Sequence, residues 1–213
     1  MKKNRLIPVL LLKNGWLVQS KGFSRYQNLG NPITAVKRLS EWGSDELIYL
    51  DISKDEEYDT RRDDQNYPNR NTFLEIINDV SKATFMAITI GGKINSIEDI
   101  EKRLNLGADK ISINTKAIKD LEFINESALE FGSQCIVVSI DAKLYMDNYF
   151  VYDNSISSIT ELPVFDFVKQ VENIGAGEIL LNSVDQDGLG NGYDLLLIDE
   201  VVKKIKIPVI ACG

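Results

Sequence analysis

The sequence repeats itself at about half its length, and this constrains the fold more than any single motif does. GSDELIYLDI (residues 43–52) resembles GAGEILLNSV (175–184), AITIGG (87–92) resembles PVIACG (208–213), and VLLLK (9–13) resembles SIDAK (139–143). The three matches keep their order and lie about 120–130 residues apart, so the second half reads as a copy of the first, two βαβα units in each. Short apolar or β-branched runs mark the strands: 6–12, 46–52, 86–90, 109–113, 135–140, 178–184 and 207–211. Helical patterns fill the gaps, at Pro32 to Trp42, Thr72 to Lys82, Ile97 to Leu106, Ile118 to Phe131, Pro163 to Ile174 and Tyr193 to Ile205.

Strands alternating with helices of ~10–12 residues imply βαβ units and a parallel sheet. Two such halves imply eight strands, the α/β fold of a (β/α)8 TIM barrel built from two half-barrel repeats, a single domain over 1–213. A doubly wound open sheet is the competing architecture, and it offers no reason for the half-length symmetry. Seven strands are legible, and the sequence stops at Gly213 just after the seventh. The chain is therefore expected to stop after strand seven, with the C-terminal βα unit of the barrel missing.

Local chemistry supports these boundaries. Ser96 before Ile97 and Asn31 before Pro32 are helix N-caps, whose side-chain oxygens accept from the free amides of the first turn. Gly43, Gly107 and Gly175 each end a helix just before a strand, where a left-handed residue is expected. The opening RLIPVLLLKNG is too short, and too soon followed by Lys13, Asn14 and Trp16, to be a secretion signal. It reads as the first strand, buried on both faces.

The charge balance narrows the function. Twenty-four Lys and Arg against 32 Asp and Glu give a net charge of -8, which disfavours nucleic acid and anionic membranes as partners. No run approaches the ~18 apolar residues of a membrane span. Cys135 and Cys212 sit singly in apolar runs and have no metal spacing, so a reducing, cytoplasmic setting is expected. The chain has no histidine, which removes Ser-His and Cys-His nucleophiles and imidazole metal sites. Carboxylates and lysines are left for acid–base work, with no cofactor and no metal implied.

At GSDELIYLDIS, ITIGGKINSIEDI, GADKISINTKAI, GSQCIVVSIDAK and GAGEILLNSVDQDGLGNGYD the chain resembles the cyclase subunit of imidazole glycerol phosphate synthase, over its whole length. The resemblance implies a histidine-biosynthesis enzyme, a lyase and cyclase, that forms a heterodimer with a glutaminase and adds the glutaminase's ammonia to a phosphorylated small-molecule substrate. Arg5, Glu46, Lys110 and Glu178 match the family's ammonia gate at the N-terminal mouth of the barrel, and Asp109 matches a position used in docking the glutaminase. The charge pattern alone is equally met by a salt-bridge ring that closes the barrel bottom.

At the opposite mouth, where barrel chemistry sits, Gly91 and Gly92 bare backbone amides to an anion and Asn114 and Thr115 add side-chain donors. Asp187, Gly188 and Gly213 are the repeat-related second phosphate site. Asp141, ending strand five, matches one of two catalytic aspartates. The other belongs at position 11, where this chain has Leu11.

Further departures are Lys93 in place of a third glycine, an altered loop after strand one (NGWLVQSKG), and a longer charged loop after strand two (SKDEEYDTRRDDQNYPNRNT). This pattern resembles cyclase-like paralogues associated with surface polysaccharide (lipopolysaccharide, O-antigen) genes, thought to pass ammonia toward amidino groups on sugars. A non-catalytic ammonia conduit is the reading from another class.

Overall fold

A computed structural model of the chain describes residues 4–55, 57–58 and 70–213. Residues 56 and 59–69 of the charged stretch 53–72 lie outside them. The described residues form two compact units, one up to Gln19 and through Tyr26–Ile111, the other Ser20–Arg25 and Ser112–Gly213.

The first unit runs β1 (Val9–Lys13), β2 (Trp16–Lys21), β3 (Arg25–Gly30), α1 (Pro32–Glu41), β4 (Glu46–Asp51), α2 (Phe73–Ala83), β5 (Ala87–Gly91) and α3 (Ile97–Asn105). β4 lies parallel between β1 and β5, with Leu11 opposite Leu50 and Leu50 opposite Gly91. Pro8 has no N–H to give a ladder, and the first strand begins just after it, not at residue 6. Leu12 is fully buried, while Leu6 is largely exposed and the rest of β1 half-buried, so burial on both faces holds for only part of this strand. Leu47, Ile48, Tyr49, Ile76, Val80, Ile88 and Ile100 are also in the core, Tyr49 donating its hydroxyl to Pro32 O at 2.8 Å.

β6 (Lys110–Ile113) leads into the second unit: α4 (Thr115–Lys119), α5 (Glu122–Phe131), β7 (Ile136–Tyr145), β8 (Asn148–Asp153), β9 (Ser158–Pro163), α6 (Val164–Ile174), β10 (Glu178–Ser183), α7 (Leu195–Val202) and β11 (Val209–Cys212). β10 lies parallel between β7 and β11, with Asp141 opposite Asn182. Ile136 through Ala142 are all buried.

All seven expected strands form, in βα alternation, and the α/β class with parallel pairing stands. Four further strands do not belong to that count. β2 and β3 follow β1, and β8 and β9 follow β7, as antiparallel excursions at corresponding places of the two halves. Each opens on a two-residue turn in left-handed backbone, Asn14-Gly15 and Met146-Asp147, the conformation that matches the twist of a hairpin. These strands carry polar sequences such as RYQNLG and SITELP, which a search for apolar runs passes over.

The helix expected over Ile118 to Phe131 is two helices. Asp120 adopts an extended backbone between them, with its carboxylate on Lys116 and on the Phe123 amide. Such local side-chain bonding competes with helix continuation. Asn31 and Ser96 cap α1 and α3 as expected, Ser96 within a reciprocal box with Asp99. Gly43, Gly107 and Gly175 all have positive φ.

Candidate active site

Asp141 lies on β7 in the second unit, buried, with three amides around its carboxyl group. Oδ2 accepts from Asn114 Nδ2 at 3.1 Å and Asn154 Nδ2 at 2.8 Å, and Oδ1 accepts from Asn182 Nδ2 at 3.2 Å. Burial penalises the charged form; the three amides favour it, and the Asp187 charge opposes it. The balance pushes the pKa up to about 6. A carboxyl group that titrates near neutrality exchanges protons in both directions at working pH, the property general acid–base catalysis asks of it.

Each amide reaches Asp141 from a different element. Asn114 follows β6 and also holds Ser139 O at 3.1 Å, so both of its amide hydrogens are directed to β7. Asn182 is the register partner of Asp141 on β10. Asn154 sits in the turn between β8 and β9 beside buried Asp153, whose Oδ1 accepts from Ser155 N. Sequence reasoning missed Asn154 and Asn182. Asn182 was open to discovery, since it falls in GAGEILLNSV where the first half has Leu50. Asn154 belongs to no repeated motif.

The same ladder position in the first unit is apolar. Leu11 pairs with Leu50 as Asp141 pairs with Asn182, and Leu50 and Asn182 occupy one position of the repeat. The equivalence of Leu11 and Asp141 thus follows from strand register as well as from the sequence match.

The glycine loops are tightly packed. Gly91 ends β5, and Gly92, at φ 107°, is so close to the Asp51 backbone that a Cβ would collide with its carbonyl. Buried Arg103 holds Gly92 O at 2.9 Å. Lys93 keeps the left-handed backbone of a glycine (φ 54°) and turns its ammonium to Asp55 O and to Asp51 Oδ2 at 3.4 Å. Asp51 is held in turn by Ser53 and Tyr58. Thr115 is the first residue of α4.

In the second unit, Gly213 packs on Ser183, the repeat counterpart of Asp51. Asp187 accepts from Ser20 Oγ at 2.7 Å and Phe23 N at 3.3 Å, and its carbonyl accepts from Gly22 N. Gly188 leaves room for the Ser20 carbonyl. The end of β2 and the turn that follows it are seated on this loop.

Of the four residues matched to a gate, three meet in the first unit. Glu46 takes Arg5 on one carboxylate oxygen and Lys110 on the other, the latter at 3.0 Å. Burial of Glu46 opposes its charge, but the two cations outweigh it and hold the carboxyl below the ordinary glutamate range. Glu178 begins β10 in the second unit and is buried. Asp109 Oδ2 accepts from Ile88 N at 2.7 Å while Asp109 N donates to Ile88 O, a reciprocal pair at the start of β5.

A family model for histidine biosynthesis proteins matches residues 5–213. An imidazole glycerol phosphate synthase subunit HisF from Hydrogenobaculum sp. is 42% identical over 100% of this chain and 81% of its own length. Relatives designated hisF2 from Campylobacter jejuni and Vibrio vulnificus are 44% and 42% identical over 100% of this chain, covering 80% and 74% of their own lengths.

Proposed function

The chain belongs to the histidine biosynthesis protein family, and from that premise we propose that it is a cyclase subunit of the imidazole glycerol phosphate synthase type. It takes ammonia from a glutaminase, with which it forms a heterodimer, and adds it to a phosphorylated acceptor. The observation that carries the reading is Asp141: a buried carboxyl group, held by three amides and titrating at about 6, at the strand position opposite Asn182. It shuttles the proton that must leave nitrogen as the C–N bond forms.

The fold that accompanies this reading is a single (β/α)8 barrel domain. Gly91, Gly92, Asn114 and Thr115 serve one phosphate of the acceptor and Asp187, Gly188 and Gly213 the other. Arg5, Glu46, Lys110 and Glu178 admit ammonia, and Asp109 lies on the docking face for the glutaminase. Among the described residues no helix is long and apolar enough to cross a membrane, in keeping with action in the cytoplasm.

One observation favours a second reading. Leu11 stands where the repeat places a partner carboxylate for Asp141, and leucine moves no proton. An ammonia-delivering paralogue acting in amidino-sugar formation, or a conduit without chemistry of its own, needs no carboxylate there. The deciding experiment mixes the full-length protein with glutaminase and the bis-phosphorylated histidine-pathway intermediate and follows imidazole glycerol phosphate. Turnover that disappears in Asp141→Asn supports the cyclase. Glutamine hydrolysis without imidazole glycerol phosphate supports the paralogue.

A further inference from the structure

Of the three amides on Asp141, two are fixed by the parallel sheet and one is not. Asn182 is a ladder residue of β10, and Asn114, directly after β6, is tied to β7 a second time through Ser139 O. Asn154 belongs to neither group. It is the first residue of the turn that joins β8 to β9 and it is exposed, yet its Nδ2 donates to Asp141 Oδ2 at 2.8 Å, the shortest of the three bonds. The hairpin accounts for this reach. β8 pairs antiparallel with β7 from Tyr145 opposite Asn148 back to Ala142 opposite Val151, and the chain continues in the same direction to Asn154, which brings it alongside Asp141.

The turn is built to hold the amide there. Buried Asp153 accepts from Ser155 N at 2.8 Å on its side chain and from Ile156 N at 3.3 Å on its carbonyl, and Lys119 of α4 donates to Ser155 Oγ at 3.1 Å. An exposed amide has water as an alternative partner, so the bond from Asn154 adds little to the stability of the fold. Its effect falls on the carboxyl, because a donor on Oδ2 favours the ionised form and fixes the plane of the group. Control of that one group matters in a chain that has no histidine and that carries Leu11 at the repeat-related position.

We infer that Asn154 is a positioning residue for the reaction: from the β8–β9 turn its amide orients the Asp141 carboxyl and keeps Oδ2 in the state that accepts a proton. The inference rests on the reading of Asp141 as the proton shuttle of a synthase subunit, and it gives the β8–β9 excursion a function in the active site. The other ionisable groups around this carboxyl are Asp187 after β10, whose charge opposes ionisation, and the Cys212 thiol of β11, which burial pushes up to about 11 and so keeps neutral. Around Asn154 itself they are Asp153 and Lys119, both engaged on Ser155.

The test reads the proton before it reads turnover. In the full-length protein labelled with 13C at aspartate side-chain carboxyls, the Asp141 signal, assigned by its loss in Asp141→Asn, is followed through a pH titration. Its midpoint is expected to rise by about 0.5–1 pH unit in Asn154→Ala, the scale of one donor lost from a carboxylate with water at hand. It should rise further in Asn154→Asp, which keeps the shape of the side chain, exchanges the donor for a like charge, and carries the test if the alanine variant does not fold. Ser155→Ala, next along the same turn, should leave the midpoint in place. A midpoint that stays put in both Asn154 variants, or that Ser155→Ala moves as far, overturns the inference. With glutaminase and the phosphorylated acceptor, the ascending limb of the kcat profile against pH should move with the midpoint. Shifted midpoints in a protein that turns over no acceptor leave the hold of Asn154 on Asp141 standing and remove the synthase reading; turnover with unshifted midpoints does the reverse.

Discussion

The two halves of the chain share a ladder and differ in what they hang on it. At one register position the first half pairs Leu11 with Leu50 and the second pairs Asp141 with Asn182. The second half surrounds its residue with three amides and full burial, whereas the first leaves Leu11 half-buried in a strand whose one fully buried residue is Leu12. Strand geometry is thus indifferent to the chemistry it carries. A repeated scaffold can keep its pairing while one copy carries an ionisable group and the other does not, because backbone hydrogen bonds do not read side chains.

The largest test of this asymmetry is to remove the buried carboxylate of the second half. Asp141→Asn is expected to cost ~10²–10⁴ in turnover, measured as product formation with saturating ammonia. The same change should stabilise the protein at neutral pH. A carboxyl whose folded pKa is raised from 3.8 to about 6 destabilises the folded state once it must ionise. That penalty is absent below pH ~4 and reaches up to about 3 kcal/mol above pH ~6. Chemical denaturation at pH 7 and pH 4 should therefore show the variant ahead at the first pH and level with the unmodified protein at the second.

Next in size is the loop after β5. Gly92→Ala places a Cβ against the Asp51 carbonyl at a positive φ, and is expected to cost about 2–4 kcal/mol in unfolding free energy. Gly190, also at positive φ but with open space around it, should tolerate alanine at about 1 kcal/mol. Similar losses at the two sites would show that backbone conformation, and not close approach, sets the requirement.

Restoring the symmetry is the third test. Leu11→Asp is expected to raise imidazole glycerol phosphate formation at least about tenfold, at a stability cost of about 1–3 kcal/mol for placing a polar group opposite Leu50. An unchanged rate in a folded variant would show that Leu11 is not what limits the chemistry. The smallest effect belongs to the charged cluster: Glu46→Gln should cost about 1 kcal/mol at pH 7. Because Glu46 has a lowered folded pKa, its contribution is present above the ordinary glutamate range and lost as pH falls through the folded value. The difference from the unmodified protein should shrink on acidification.

Much of this was legible from residues alone. The seven strands, the parallel alternation and the caps at Asn31 and Ser96 are local or periodic, and each is written in a few neighbouring side chains. Asp141 was singled out by the family resemblance at SIDAK, with the repeat marking Leu11 as its counterpart, and Arg5, Glu46 and Lys110 because charges at strand starts stand out from apolar runs. The polar hairpins were not legible, since RYQNLG has no apolar period to find. Asn154 was hidden for a related reason: it reaches Asp141 only because the β8–β9 excursion folds back over the end of β7.

The sequence by itself determined the order of the elements, the doubling of the pattern and the presence of a carboxylate in one copy but not the other. Tertiary structure decided that this carboxylate is buried, that three amides from separate elements converge on it, and that its proton is held to about pH 6. Strand periodicity is a property of adjacent residues. A pKa depends on distance and burial, and residues as far apart along the chain as Asn114 and Asn182 become neighbours of Asp141 only in the folded protein.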